Sequence, residues 1–296
     1  MSRFQNYVAS HNPMNFAVIG HPITHSLSPE LHNWIFKKLG IDAHYSKVDI
    51  SREKLAYFLS GVSRSQFQGF NVTLPHKEAV IPLLDNVEEQ AEQIGAVNCV
   101  VNNDQKLKGY NTDWIGFQRT LQDEDISVRN RACFILGAGG ASRAILYTLL
   151  KEGADPVLLH NRHQKKALQL QTHMMSHFTS STIAVISLQE LTNFWNEDLI
   201  LINTTSVGMT SNNSLLPVKY FHRRQTFIDV IYTPLETTLL RQASAVGAKT
   251  VNGLAMFIHQ GLASIDLWLK QPISQSVNRE EIKSYLIRKL QEEIPA

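Results

Sequence analysis

The chain has 296 residues, a formal net charge of +2 and 43% hydrophobic content, a globular composition long enough for two cores. The charge is too small for a nucleic-acid surface, and no lysine/arginine run forms the stripe that a phosphate backbone needs. No apolar stretch reaches the length of a membrane span, so small molecules, with no nucleic acid and no membrane, are the expected partners. Cys133 lies in an apolar run that reads as a buried strand, so neither it nor Cys99 implies a disulfide framework. Residues 1–13 read as a loose polar extension without the apolar stretch of a signal peptide, which makes the cytoplasm the expected compartment. A monomer or a homodimer suits such a chain.

The first predicted strand is 16–20. A helix follows, opened by Ser28 as a cap and Pro29 in its first turn, with Leu31, Trp34, Ile35 and Leu39 on one face and Gly40 at its end. Strand 43–50, helix 53–59, strand 69–73, a helical pattern over 78–94 with an early Pro82, and strand 97–102 complete an α/β series with a largely parallel sheet. A second series has strands at 132–136, 156–160, 183–186, 199–203, 226–231 and 249–251, with helices between several of them, the first over 142–152. That pattern predicts a doubly wound, Rossmann-type domain. Past Gly253 the chain is helical to its end and is expected to pack back on the first domain. The predicted division is therefore 14–112, completed by 253–296, and 113–252.

Between a strand and a helix stands Gly137-Ala138-Gly139-Gly140-Ala141-Ser142. Gly137 permits the tight turn, Gly139 lets backbone approach a pyrophosphate, and the helix N-terminus offers N–H groups and a positive dipole end. Ser142 takes the third position, where glycine or alanine is usual. About twenty residues on, where NAD enzymes place a carboxylate against the ribose, the next strand ends in Asn161-Arg162, with Lys165 and Lys166 nearby. A guanidinium there can grip a 2′-phosphate, which favours NADP over NAD; a solvated surface arginine is the alternative.

Three polar clusters lie upstream. Ser26-Leu27-Ser28-Pro29 sets two hydroxyls at a helix start, where a carboxylate meets donors and dipole together, although Ser28 serves equally as an N-cap. Asn71-Val72-Thr73-Leu74-Pro75-His76-Lys77 ends a strand. Asn98 and the segment Gly109-Tyr110-Asn111-Thr112-Asp113 complete the group.

In chain order the motifs SLSP, NVTLPHK, GAVN, GYNTD, GAGGASRA, NR, NTTSVGM, DVIYTP and NGLAMFIHQG run over nearly the whole chain. In this the chain resembles the shikimate dehydrogenase family. The resemblance implies an N-terminal α/β substrate domain and a Rossmann-type NADP domain with a cleft between them. It also implies an oxidoreductase acting on a CH–OH group, which reversibly reduces 3-dehydroshikimate to shikimate with NADPH in aromatic amino-acid biosynthesis. By the family pattern Ser26 and Ser28 hold the substrate carboxylate with the Tyr232 hydroxyl. Asn71, Thr73, Asn98, Asp113 and Gln260 bind ring hydroxyls, and Lys77 and Asp113 form the catalytic pair. Gly137, Ala138, Gly139, Gly140, Ala141, Asn161, Arg162, Lys166, Thr204, Ser206 and Gly253 line the cofactor.

The chemistry agrees with that pair, since Lys77 as an ammonium is a ready proton donor for carbonyl reduction and Asp113 favours the charged lysine. His25 and His76 flank the motifs and read as surface or scaffold. No His/Cys/Asp spacing suggests a metal. Two positions depart from the pattern: His163 replaces a threonine after Arg162, and Cys99 one after Asn98. Ser28 and Arg162 argue against an NAD-linked quinate/shikimate relative, and Lys77 with Asp113 against a non-catalytic dinucleotide sensor.

Overall fold

The computed structural model describes residues 13–195, 198–210, 213–214 and 216–292, so residues 1–12 of the predicted extension lie outside it. The chain divides into two units. One ends at Thr112 and resumes at Gln260; the other runs Asp113–His259.

The first unit is built on a six-stranded sheet ordered β2-β1-β3-β5-β6-β4. β1 (Met14–Gly20) lies parallel to both β2 (Ala43–Asp49) and β3 (Gly69–Val72). Beyond β3 the sheet becomes mixed. There β5 (Cys99–Asn103) runs antiparallel to β3 and to β6 (Lys106–Tyr110), and the two-residue strand β4 (Asn86–Val87) joins β6 in parallel. Strand β6 was not predicted. Asp104 and Gln105 both adopt positive φ, 51° and 66°, which closes β5 onto β6 in the two-residue turn whose twist matches a hairpin.

The helix expected over 78–94 is also corrected. A 3-10 turn at Ile81–Leu83 leads into β4, and only Glu89–Ile94 is α-helical. Pro82 offers no N–H, and Asp85 ties the segment to the sheet: its N–H donates to Leu107 O, while its carboxylate accepts from the Leu107 N–H at 2.7 Å and from Arg64 at 2.7 Å. Glu88 then caps the short helix by accepting from the Gln90 and Ala91 N–H groups.

The core between sheet and chain consists of Ala17, Ile19, Phe70, Val72, Val100 and Leu107 against Leu55, Phe58 and Leu59. On the other side the second half of the helix Leu254–Leu269 lies on β3 and β5. Trp268 stacks on Phe16 at 4.8 Å and donates from its indole N–H to Val100 O at 3.0 Å. Gly69 makes this possible, because a Cβ there would come inside 3.0 Å of the indole. The helix Arg279–Glu292 adds the Trp34–Tyr285 stack and the exposed Lys38–Glu281 pair at 2.7 Å.

The second unit carries an all-parallel sheet ordered β12-β11-β10-β7-β8-β9. Its strands are β7 (Cys133–Leu136), β8 (Val157–His160), β9 (Ile183–Val185), β10 (Ile200–Asn203), β11 (Thr226–Asp229) and β12 (Lys249–Val251). The chain winds outward from β7 in one direction, then returns to β10 and winds in the other. This is the doubly wound order, with its topological switch between β7 and β10. Buried on both faces, the central strands read as apolar runs, CFIL, VLLH, ILIN and TFID, three of which end in a polar residue.

The second unit runs through His259. The Gly253 N–H donates to Ile231 O, and His259 Nε2 meets Asp123 Oδ2 at 2.7 Å, so the first turns of the helix Leu254–Leu269 belong with the second unit. No helix among the described residues is long and apolar enough to cross a membrane.

Candidate active site

In the second unit the polar residues collect at the carboxyl ends of β7 and β10, where open α/β sheets bind ligands. Gly137 leaves β7 with φ +119°, and its N–H donates to His160 O at 2.8 Å. A Cβ on Gly137 would fall inside 3.0 Å of Thr204 Oγ1. Gly139 is the N-cap of the helix Gly140–Lys151 and has nothing within 4 Å of where a Cβ would point. Gly140, Ala141 and the buried Ser142 form the first turn, whose N–H groups have no intrahelical acceptor. Open space before such a terminus suits a pyrophosphate, with the Ala138 and Gly139 backbone alongside.

Ser142 is more than a small residue. The Gly139 N–H donates to its Oγ at 3.1 Å, Ser142 and Thr204 hydroxyls meet at 2.6 Å, and Thr204 Oγ1 donates to Leu136 O at 2.6 Å. Because the Thr204 proton goes to the carbonyl, Ser142 donates to Thr204. The glycine turn is thereby clasped to the loop after β10. Ser206, further along that loop, is exposed.

At the end of β8, Asn161 donates from Nδ2 to His163 O at 3.0 Å, which shapes the turn into the helix Gln164–Met175. Arg162, His163, Lys165 and Lys166 are all exposed there. Gly253 lies against the backbone of Val230 and Ile231, where no Cβ fits, and its carbonyl accepts the first bond of its helix from Phe257. The ring of Tyr232 stacks on Phe257 at 4.5 Å.

The loops after β10 and β11 share one buried carboxylate that the sequence reading did not assign. Asp229 accepts from the Ile231 N–H and Asn203 Nδ2, each at 3.1 Å, and from Thr237 Oγ1 at 2.8 Å. Asn203 in turn accepts from the N–H and hydroxyl of Thr205 and donates to Val207 O. Burial pushes the Asp229 pKa up to about 6, against the downward pull of its three donors. The available signal was a polar residue closing an otherwise apolar strand.

In the first unit, Thr73 follows β3 and donates its N–H to Ile19 O, beside the end of β1. Ser26 Oγ donates to Ser28 Oγ at 3.1 Å and accepts from the Ser28 N–H at 3.3 Å, so the two hydroxyls form one polar group. Ser28 is not the cap: Leu27 holds that position, its carbonyl accepting the Leu31 N–H, and Ser28 is the first residue inside the helix Ser28–Leu39. That leaves the Ser28 hydroxyl without a capping role.

Asn71 and Asn98 are both buried and adjoin, with Asn71 Nδ2 donating to Asn98 O at 3.1 Å. Asn98 donates from Nδ2 to Thr112 Oγ1 at 2.9 Å and to Gln260 Oε1 at 3.3 Å, and its Oδ1 accepts the Thr112 N–H at 2.6 Å. Lys77 is half-buried, and its carbonyl accepts the Val97 N–H at 2.8 Å, which joins the lysine segment to the one bearing Asn98. His76 is scaffold: buried, it donates from Nε2 to Ile50 O at 2.6 Å. His25 is exposed, and Cys99 is fully buried on β5. Asp113, next in sequence to Thr112, is buried at the start of the helix Asp113–Asp123.

Two family models match. One, described as the shikimate dehydrogenase substrate binding domain, covers residues 18–100; the other, shikimate / quinate 5-dehydrogenase, covers 120–231. The chain is 42% identical over 270 residues to a shikimate dehydrogenase (NADP(+)) of Caldanaerobacter subterraneus subsp. tengcongensis, covering 90% of this chain and 96% of the relative. A crystal structure of shikimate dehydrogenase from Aquifex aeolicus superposes with a TM-score of 0.83 at 35% identity, covering 97% of this chain and 99% of its own. The shikimate 5-dehydrogenase of Thermus thermophilus, solved in complex with NADP(H) and shikimate, gives a TM-score of 0.81 at 34% identity over 93% of this chain and 99% of its own. Similarity of this extent in both sequence and fold places the chain in the shikimate dehydrogenase family.

Proposed function

We propose that this chain catalyses the reversible reduction of 3-dehydroshikimate to shikimate with NADPH. The observation that carries the reading is the pairing of chemistries already described. One unit offers a glycine turn with open space before a helix N-terminus; the other offers a buried carboxamide cluster beside a half-buried lysine.

The bound nicotinamide supplies the hydride; the residues of the chain bind, orient and move the proton. As ammonium, Lys77 gives a proton to the oxygen of the carbonyl being reduced, and in the oxidative direction its amine takes that proton back. Asp113 is the second member of the catalytic pair that the family pattern gives. The paired hydroxyls of Ser26 and Ser28 receive the substrate carboxylate, a role Tyr232 shares. Asn71, Thr73, Asn98, Asp113 and Gln260 receive ring hydroxyls. The backbone N–H groups of Ala138, Gly140 and Ala141 receive the pyrophosphate. Gly137 and Gly139 shape the turn, with their own N–H groups spent on His160 O and Ser142 Oγ, and Gly253 and the loop bearing Thr204 and Ser206 line the cofactor. Thr204 acts through its clasp on the turn, because its hydroxyl proton is already committed to Leu136 O. Exposed Arg162, with Asn161 and Lys166, reads the 2′-phosphate; no carboxylate stands at the end of β8 to repel it.

Steady-state rates with shikimate and with quinate, each with NADP and with NAD, test the reading. Shikimate with NADP is expected to give the highest kcat/KM. Preferential turnover of quinate with NAD would overturn it.

A further inference from the structure

In the proposed function Asn71 receives a hydroxyl of the substrate ring. A terminal carboxamide can meet a ligand with its oxygen or its nitrogen, and the protein must choose. Here the choice is built in. Asn98 O is a carbonyl and can only accept, so the atom of Asn71 facing it at 3.1 Å must be the nitrogen. The Tyr45 hydroxyl then donates to Asn71 Oδ1 at 2.7 Å. The second hydrogen of Asn71 Nδ2 goes to Ser264 Oγ at 2.9 Å.

Ser264 is fully buried in the helix Leu254–Leu269. Its own proton is spent on Gln260 O at 2.9 Å, so toward Asn71 its oxygen can only accept. Both Asn71 donors are thereby satisfied within the protein. What remains for a ligand is the carboxamide oxygen.

Resting on the reading of Asn71 as a substrate ligand, we infer that Ser264 is a positioning residue. It consumes the second Asn71 donor and so makes Asn71 a pure acceptor, selecting substrates that place an O–H there. The helix that carries Gln260 thus sets specificity through a residue that need not touch the substrate. A ring hydroxyl replaced by fluorine, which cannot donate, is rejected at this position; an amino group, which can, is tolerated.

The test is a cycle of Ser264→Ala, Asn71→Ala and the double variant, with Tyr45→Phe as a second, conservative probe of the same carboxamide. Ser264→Ala is expected to raise KM for shikimate about 10-fold, as loss of a buried hydrogen bond does. KM for NADP should stay within about twofold of wild type, and kcat should fall less than KM rises. Tyr45→Phe should act in the same direction. In the Asn71→Ala background, Ser264→Ala should add nothing. Among monofluoro analogues of shikimate, the one most strongly rejected by wild type should lose that discrimination in Ser264→Ala. An unchanged KM, an equal rise for NADP, or full additivity with Asn71→Ala would overturn the inference while leaving the proposed function intact. A wild-type chain that does not turn over shikimate would instead overturn the proposed function.

Discussion

Replacing Asp229 by asparagine isolates the cost of a carboxylate that the fold buries completely. Burial moves its pKa from 3.8 to about 6, only partly opposed by the Ile231 N–H, the Thr237 hydroxyl and Asn203 Nδ2. Below pH 3.8 the folded and unfolded chains both hold the proton, and no cost arises. As the pH rises from 3.8 to 6 the unfolded chain releases its proton while the folded chain keeps it, so folding stability falls; above 6 the deficit is constant. A shift of about two units at 1.36 kcal/mol per unit amounts to about 3 kcal/mol. Asparagine keeps two of the three contacts, its oxygen accepting from Asn203 and Ile231; its nitrogen reverses the third by donating to Thr237 Oγ1, whose hydroxyl proton loses its acceptor at a cost that does not vary with pH. Asparagine carries no proton to release. Urea unfolding of wild type and Asp229→Asn at pH 4, 5, 6 and 7 is the assay. The variant should gain about 3 kcal/mol relative to wild type across that range, most of it below pH 6. A difference that does not change with pH would mean that the three donors offset burial in full, and would refute the reasoning.

The other predictions concern the site. Lys77→Ala should cut turnover on the order of 10²-fold or more while leaving NADP affinity nearly unchanged by fluorescence titration; undiminished turnover would remove Lys77 from the mechanism. Arg162→Ala should raise KM for NADPH about tenfold and leave that for NADH nearly unchanged, and an equal effect on both would show that Arg162 does not read the 2′-phosphate. Gly137→Ala forces a side chain into a backbone with φ +119° and against Thr204 Oγ1, at a cost of about 1–3 kcal/mol. Its thermal midpoint should fall and its NADPH affinity weaken together; a variant with wild-type values of both would refute the tight-turn argument.

Local signals carried much of the secondary structure. Strands buried on both faces read as apolar runs, and helix ends were marked by residues such as Gly40, which adopts the left-handed conformation that ends its helix. Local reading failed where a non-local partner decided the outcome. The turn at Asp104-Gln105 contains no glycine, so nothing announced the hairpin until pairing with β5 revealed it. Helical periodicity over 78–94 lost to Pro82 and to the bonds from Asp85 to Leu107. Ser28 gave up the cap to Leu27 because the helix begins one residue earlier than a capping Ser28 requires.

The site divides along the same line. Two α/β series, the glycine turn between a strand and a helix, and the family were legible in the residues alone, because these rest on residue types at short spacings. How the side chains are held depends on segments far apart in the chain. Ser142 looked like an imperfect third glycine until Thr204, 62 positions away, made it a clasp. Asn71 looked like any polar strand end until Ser264, 193 positions away, took its second donor. Asp229 closes a strand like many carboxylates and owes its raised pKa to burial among groups from three different segments. Backbone periodicity is written within a few residues of itself, whereas a hydrogen-bond partner or a desolvated environment comes from wherever the folded chain returns.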